Sequence, residues 1–227
     1  MPDPMTPNSP STAALGVLIS GRGSNLRAIA DAVTAGEIPA TIAIVVSNDA
    51  EAGGLAFARD RGIPTSVVRH RDFGSRVDYD LALVAELRRH RVTLVCLAGF
   101  MRLLGPDVCA AFPDAILNIH PSLLPSFPGL DPHGQALRAG VKLSGATVHF
   151  VIPETDAGPI VMQGAVTVGD HDTADTLSER ILEVEHRIYP EALRLLATGK
   201  VRIEGDVCKT AGSSASENFL VAPVVSG

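Results

Sequence analysis

The chain has 227 residues, 46% of them hydrophobic and 19% charged, with a formal net charge of −6. That length and balance suit a folded domain with a sizeable core and exclude an intrinsically disordered chain. The acidic balance argues against a nucleic-acid binder, which carries a basic footprint, and no apolar run approaches the ~20 residues that span a bilayer.

The first segment, Met1 to Thr12, is rich in Pro and Ser and lacks both a basic start and an apolar stretch. It does not read as a signal peptide, and residues 1–13 are expected to form a disordered leader. The apolar run Leu15–Ile19 predicts a first strand, followed by the turn Ser20-Gly21-Arg22-Gly23-Ser24-Asn25 and a helical stretch, Asn25–Ala35. Two glycines let the backbone approach a ligand, Ser24 and Asn25 add polar side chains, and free amides at a helix N-terminus bind phosphate. Leu26 stands where a dinucleotide fingerprint has its third glycine, and no Walker lysine follows. The turn is therefore a generic phosphate site or a capped strand-to-helix turn.

Strands are then predicted at Ile42–Val46, Ser66–Val68, Leu94–Leu97 and Ala115–Ile119. Helical stretches at Gly54–Arg61, Arg76–Arg89 and Pro106–Phe112 separate them. In Arg76–Arg89 the apolar residues Val77, Leu81, Val84 and Leu87 fall at spacings of three and four, a helical stripe. Alternating strands and helices imply right-handed βαβ units on a parallel sheet covered on both faces. Its Val-, Leu- and Ile-rich core suits buried parallel strands, since the chain has no Trp and two Tyr. Ligands of such sheets bind beyond the carboxyl ends of the strands. Asn118 and His120 lie at one such end and share a face by strand alternation. Pro121 and Pro125 then stop the strand. An amide and an imidazole on one face can hydrogen-bond one carbonyl and handle one proton; they also fit a merely satisfied pair at a strand end.

The second half changes character. Gly145–Ile152 and Ile160–Val168 read as strands joined by the turn-rich segment 153–159, a hairpin-like connection. Within it Asp156 has the look of a turn former. A long helix follows from about Thr173 to Thr198, with Asp172 or Thr173 as N-cap and Pro190 splitting or kinking it. Lys200–Glu204 suggests a short edge strand. The fold class is thus α/β: a Rossmann-like open sheet with parallel βαβ units first, then a mixed half with an antiparallel hairpin and a long helix. Residues 14–206 are expected to form one domain, and 207–227 a loose tail whose apolar end is Phe219-Leu220-Val221-Ala222.

Three cysteines, Cys96, Cys109 and Cys208, are odd in number and widely spaced. That opposes a disulfide framework and fits a reducing cytoplasm. Cys96 reads as a small core residue. The seven His show no metal-binding spacing, so no metal is expected. No Gly-x-Ser-x-Gly occurs, and Ser122 after His-Pro does not sit in a nucleophile elbow. The basic runs Arg69-His70-Arg71 and Arg88-Arg89-His90-Arg91 read as solvated faces.

Five segments carry more than this. Val17 to Leu26, Leu97 to Arg102, Asn118 to Pro125, Thr147 to Phe150 and Asp156 to Ile160, in that order, resemble the phosphoribosylglycinamide formyltransferase family of purine synthesis. The likeness runs from about Leu15 to Gly205. Asn-x-His-Pro-Ser-Leu-Leu-Pro alone is shared across the wider formyl-transferase superfamily. The opening Ser-Gly-x-Gly-Ser-Asn turn and the segment Glu185-His186-x-x-Tyr189-Pro190 narrow it. Departures occur at Ser126, at Asp131-Pro132 and at Leu182.

The resemblance implies transfer of a formyl group from 10-formyltetrahydrofolate, as co-substrate and without a metal, to the amine of glycinamide ribonucleotide. The amine attacks directly and passes through a tetrahedral state. It implies catalytic roles for Asn118, His120 and Asp156. Gly23, Ser24 and Asn25 would hold the phosphate, and Glu185 the sugar or glycinamide end. Arg76, Met101, Arg102, Leu103 and Leu104, with Ile152, Pro153, Glu154, Thr155 and Asp156, would line the folate pocket together with Asn118. The expected partners are these two small molecules, with no nucleic acid or membrane, in a monomer or homodimer. A formyltetrahydrofolate hydrolase would carry a regulatory domain ahead of this one, and a methionyl-tRNA formyltransferase a C-terminal domain and a basic surface. A nucleotide-binding oxidoreductase or a silent binding module is the reading from another class.

Overall fold

The structure is a computed structural model and describes residues 12–214 and Ala222. In chain order its elements are β1 (Ala13–Ile19), α1 (Ser24–Thr34), β2 (Ala40–Ser47), α2 (Gly53–Asp60), β3 (Thr65–Val67), a short 3-10 turn (His70–Asp72), α3 (Arg76–Arg89), β4 (Leu94–Leu97) and α4 (Pro106–Ala111). Then come β5 (Ile116–His120), α5 (Pro132–Ala139), β6 (Leu143–Phe150), β7 (Ile160–Thr167), α6 (Ala174–Ala197), β8 (Val201–Glu204) and β9 (Val207–Thr210).

Seven strands form one sheet in the order β3-β2-β1-β4-β5-β6-β7. The first five are mutually parallel, whereas β6 runs antiparallel to β5 and β7 antiparallel to β6. The chain reverses its direction of travel across the sheet at β1, so β1 and β4 flank the switch point where a ligand crevice opens. Strand alternation sorts the apolar residues into two cores. Leu15, Val17 and Ile19 of β1, Cys96 of β4 and Leu117 and Ile119 of β5 pack with α1, α2, α5 and α6. Leu18, Val95, Leu97 and Ile116 pack on the other face with α3 and α4. Cys96 is fully buried, and desolvation raises its thiol pKa far above the usual range, as suits an inert core residue.

Several expectations change. The helical stripe of α3 is only half right. Val84 and Leu87 are buried, but Val77 and Leu81 are about half exposed, and the buried face of the helix is Tyr79, Asp80, Leu83, Val84 and Leu87. The helix thus packs two polar-headed residues inward, which an apolar count does not see. Pro190 does not divide the long helix: α6 runs unbroken for 24 residues from its Thr173 N-cap. The missing Pro190 N–H and ring clash cost about 3 kcal/mol. Burial of Ile188, Tyr189, Ala192 and Leu193 on both sides of the proline offsets this. The expected edge strand joins the main sheet nowhere; β8 pairs with β9 in a separate two-stranded sheet. Order therefore extends past the expected limits at both ends, because Ala13 belongs to β1 and Val207–Thr210 to β9. The rest of the leader, up to residue 11, and Phe219 to Val221 lie outside the described residues. Helix α5 was not anticipated, although Asp131 caps it through Gly134 N–H and Pro132 opens it. Among the described residues no helix is long and apolar enough to cross a membrane.

Candidate active site

The site gathers at the carboxyl ends of β1, β4 and β5, where four chain segments meet. The first is the glycine turn. Gly23 has φ +74° and caps α1. A Cβ there would lie 2.9 Å from Gly54 Cα, so only glycine satisfies both the left-handed backbone and the close approach to the start of α2. Gly54 N–H donates to Gly21 O at 3.1 Å, tying the two helix starts together. Asn25 is buried, and its Nδ2 donates to Glu185 Oε2 at 2.6 Å across 160 residues of sequence. Burial pushes the Glu185 carboxyl up to about 6, while the Asn25 hydrogen bond pulls the other way. Asn25 Oδ1 is buried without a protein partner. Tyr189, one turn after Glu185, donates from its hydroxyl toward the carbonyls of Leu97 and Leu117. That anchors α6 under the ends of β4 and β5 and fixes the height of Glu185.

The second segment is the loop after β4. Met101 N–H donates to Ser20 Oγ at 2.8 Å, and Ser20 donates to Asn48 Oδ1. The loop is therefore laced to the glycine turn. From α3, Arg76 Nη2 donates to Leu103 O at 3.2 Å. Leu104 is buried in the α3–α4 core, and Arg102 is exposed. Met101 and Leu103 are 71% and 63% exposed, which leaves an apolar, solvent-facing rim beside a guanidinium.

The third segment is the end of β5. Asn118 and His120 alternate with the core residues Leu117 and Ile119 and so share the opposite face. His120 is buried, with Nε2 at 3.0 Å from Phe127 O and Nδ1 at 3.4 Å from Asp156 Oδ2. Both ring nitrogens therefore face oxygens that only accept, and both contacts are satisfied together only when each nitrogen carries a proton. The 121–126 loop is pinned from below. Thr147 Oγ1 donates to Ser122 O and accepts from Leu124 N–H, and Gln163 Nε2 reaches both Leu124 O and Thr147 Oγ1.

The fourth segment connects β6 to β7 and delivers Asp156. Asp156 adopts φ +53°, a left-handed conformation that Asp tolerates better than most residues. Gly158 follows because a Cβ there would sit 1.9 Å from Phe150 O. Asp156 Oδ2 also accepts from Gly129 N–H at 2.9 Å, which joins this turn to the loop over His120. Ile152 is half-buried, and Pro153, Glu154 and Thr155 are exposed. Desolvation raises the Cys109 thiol pKa on α4, with Asp80 and, least, Glu154 adding to it and Arg76 opposing it.

Asn118, His120 and Asp156 thus converge, as do Asn25 with Glu185, and Arg76 with Leu103. Sequence reading missed His149, which is 2% exposed. It lies opposite Asn118 in the β5–β6 register, with Nε2 3.2 Å from Asn118 Nδ2 and 3.7 Å from Asp156 Oδ1. The Thr147-Val148-His149-Phe150 segment held that signal, but only the antiparallel register turns it into a contact. Among the described residues no group of three His, Cys, Asp or Glu is placed to hold a metal ion.

The family model described as formyl transferase matches residues 14–193. The phosphoribosylglycinamide formyltransferase of Escherichia coli K12 is 44% identical over 187 residues, covering 82% of this chain and 88% of that protein. The trifunctional purine biosynthetic protein adenosine-3 of Gallus gallus is 48% identical over 194 residues, 85% of this chain. This chain spans only 19% of that longer relative. The crystal structure of glycinamide ribonucleotide transformylase 1 from Symbiobacterium toebii superposes with a TM-score of 0.87 at 50% identity, covering 88% of this chain and 94% of that one.

Proposed function

We infer the reaction from one premise: this chain belongs to the formyl transferase family, and within it groups with the phosphoribosylglycinamide formyltransferases. The function is transfer of a formyl group to the amine of glycinamide ribonucleotide in purine biosynthesis, with 10-formyltetrahydrofolate as donor and the cytoplasm as its place. The observation that carries the chemistry is the meeting of Asn118, His120 and Asp156 at the carboxyl end of β5, with both His120 nitrogens facing acceptors.

Each residue then has a task. Gly23, Ser24 and Asn25, at the start of α1, bind the phosphate through free amides and the helix dipole. Glu185, held by Asn25, receives the sugar or glycinamide end. Arg76 with the Met101–Leu104 rim, and Ile152 to Asp156 on the facing loop, receive the folate; an apolar rim beside a guanidinium suits a flat ring with an acidic tail. When bound, the folate supplies an activated formyl carbon. As the unprotonated amine adds to that carbon, the formyl oxygen gains negative charge. Asn118 and the doubly protonated His120 donate hydrogen bonds to it. The Phe127 carbonyl holds the same His120 N–H, so it competes with the formyl oxygen for that donor. Asp156, facing His120 Nδ1, takes up through a water the proton that the amine sheds and passes it to the folate nitrogen as the bond between that nitrogen and the formyl carbon breaks and the carbonyl re-forms. Holding both reactants in line supplies much of the remaining acceleration.

The test is to mix the protein with glycinamide ribonucleotide and 10-formyl-5,8-dideazafolate and follow absorbance as the deformylated folate appears. Turnover that requires the ribonucleotide supports the reading. Release of formate without it would make the protein a hydrolase, and ligand binding without turnover a silent binding module.

A further inference from the structure

His149 is the buried titratable group next to the reacting residues that the reaction above does not use. Its Nδ1 lies 2.9 Å from Phe150 O. A carbonyl only accepts, so Nδ1 carries a proton. The neutral ring then has its lone pair on Nε2, which faces Asn118 Nδ2 at 3.2 Å. An Asn amide can meet a lone pair only with its NH₂ end. The ring thereby decides which way the Asn118 amide is turned, leaving the second N–H of Nδ2 free for another acceptor.

We propose that His149 is a positioning residue, a neutral imidazole protonated at Nδ1 that orients the Asn118 amide so that its remaining N–H is presented to the formyl oxygen. The proposal rests on the formyl-transfer reading above. The surroundings favour the neutral form. Burial pushes the imidazole pKa below its usual value, and His120 adds to this, while the Phe150 carbonyl and Asp156 oppose it. The titratable or polar groups facing the ring are Asp156 from the β6–β7 connection, and His120 and Asn118 from β5. A proton on Nε2 would do two things. It would face Asn118's NH₂ with a second donor and force the amide to turn over. It would also draw Asp156, 3.7 Å away, off His120.

Two measurements test this. Long-range ¹H–¹⁵N NMR of the wild-type protein at pH 7.5 reads the tautomer without any turnover. A proton on Nδ1 alone is expected at His149; a proton on Nε2, or an imidazolium, overturns the proposal. Steady-state kinetics of His149→Leu, His149→Gln and Asn118→Ala, alone and combined, read the consequence. His149→Leu is expected to lower kcat about 30-fold, less than the roughly hundredfold or more that outright loss of an oxyanion donor costs, with both KM values within about threefold. His149→Gln keeps an acceptor at the same place and should recover most of that loss. Added to Asn118→Ala, His149→Leu should cost nothing more. A full further loss in that background would show that His149 does not act through Asn118, and an unchanged kcat in His149→Leu would remove its role. A His149→Leu chain that does not fold leaves the Gln variant and the tautomer to decide. A wild-type protein with the expected tautomer and no formyl transfer would fail the parent reading and not the orientation of Asn118.

Discussion

Replacing Asp156 with Asn removes a charge while preserving shape, and the structure gives the size of the effect. Asp156 Oδ2 lies 3.4 Å from His120 Nδ1, and the side chain is 11% exposed. At that distance, with an effective dielectric constant of about 20, Coulomb's law gives roughly 5 kcal/mol. Losing about half of this from the transition state, about 2.7 kcal/mol, is a hundredfold in rate. The amide of the Asp156→Asn variant keeps an oxygen to accept from Gly129 N–H, so the turn and the fold should persist. That amide cannot hold the second proton on His120 or take one from the amine. Expected in the dideazafolate assay is a kcat at least about a hundredfold lower, with KM for both substrates little changed and a melting temperature within a few degrees of wild type. Turnover near wild type in a folded Asp156→Asn protein would remove Asp156 from the mechanism. A kcat loss accounted for by the fraction of protein left unfolded at the assay temperature would make it a turn residue only.

The buried Glu185 gives a pH-dependent prediction. Its folded pKa, about 6, is raised above the ordinary 4.5. The folded state therefore favours the protonated carboxyl. The resulting stability is fully present below about pH 4.5 and is lost as pH rises through about 6. Glu185→Gln removes the charge but still accepts from Asn25. It should gain up to about 2 kcal/mol of stability near pH 7.5, a gain that vanishes below about pH 4.5, while weakening the ribonucleotide more than the folate. Denaturant melts at both pH values check the sign; a gain at low pH alone would contradict it. Gly158→Ala should lower both stability and kcat, because its Cβ would meet Phe150 O. Thermal melts and kinetics would show a variant close to wild type if the turn has more room than this.

The sheet was legible because its parallel half is built from short β-branched runs alternating with helical stretches, and β4 and α3 fall where expected. Asn118 and His120 were legible for the same reason: period-two alternation at the end of a strand is a local signal. Asp156 was not. It reaches His120 through a left-handed turn set by Gly158 and Phe150, and nothing in spacing encodes that meeting. His149 was hidden by the antiparallel return of β6, which makes residues 31 apart in sequence opposite partners. The inward face of α3 escaped because Tyr79 and Asp80, not Val77 and Leu81, turn toward the core. The α5 cap, Asp131-Pro132, is a local signal in the sequence, but it follows a loop whose left-handed residues Phe127, Gly129 and Asp131 have no periodic pattern to mark where the helix begins.

The central claim is direct passage of the formyl group from folate to amine at Asn118, His120 and Asp156. The most direct measurement is a single turnover with folate carrying a ¹³C-formyl group and excess glycinamide ribonucleotide, analysed by ¹³C NMR. The account predicts that the label appears wholly as the formamide of the ribonucleotide, and that Asp156→Asn slows its appearance without diverting it. Label emerging as free formate, or formamide forming at the wild-type rate in that variant, would contradict it.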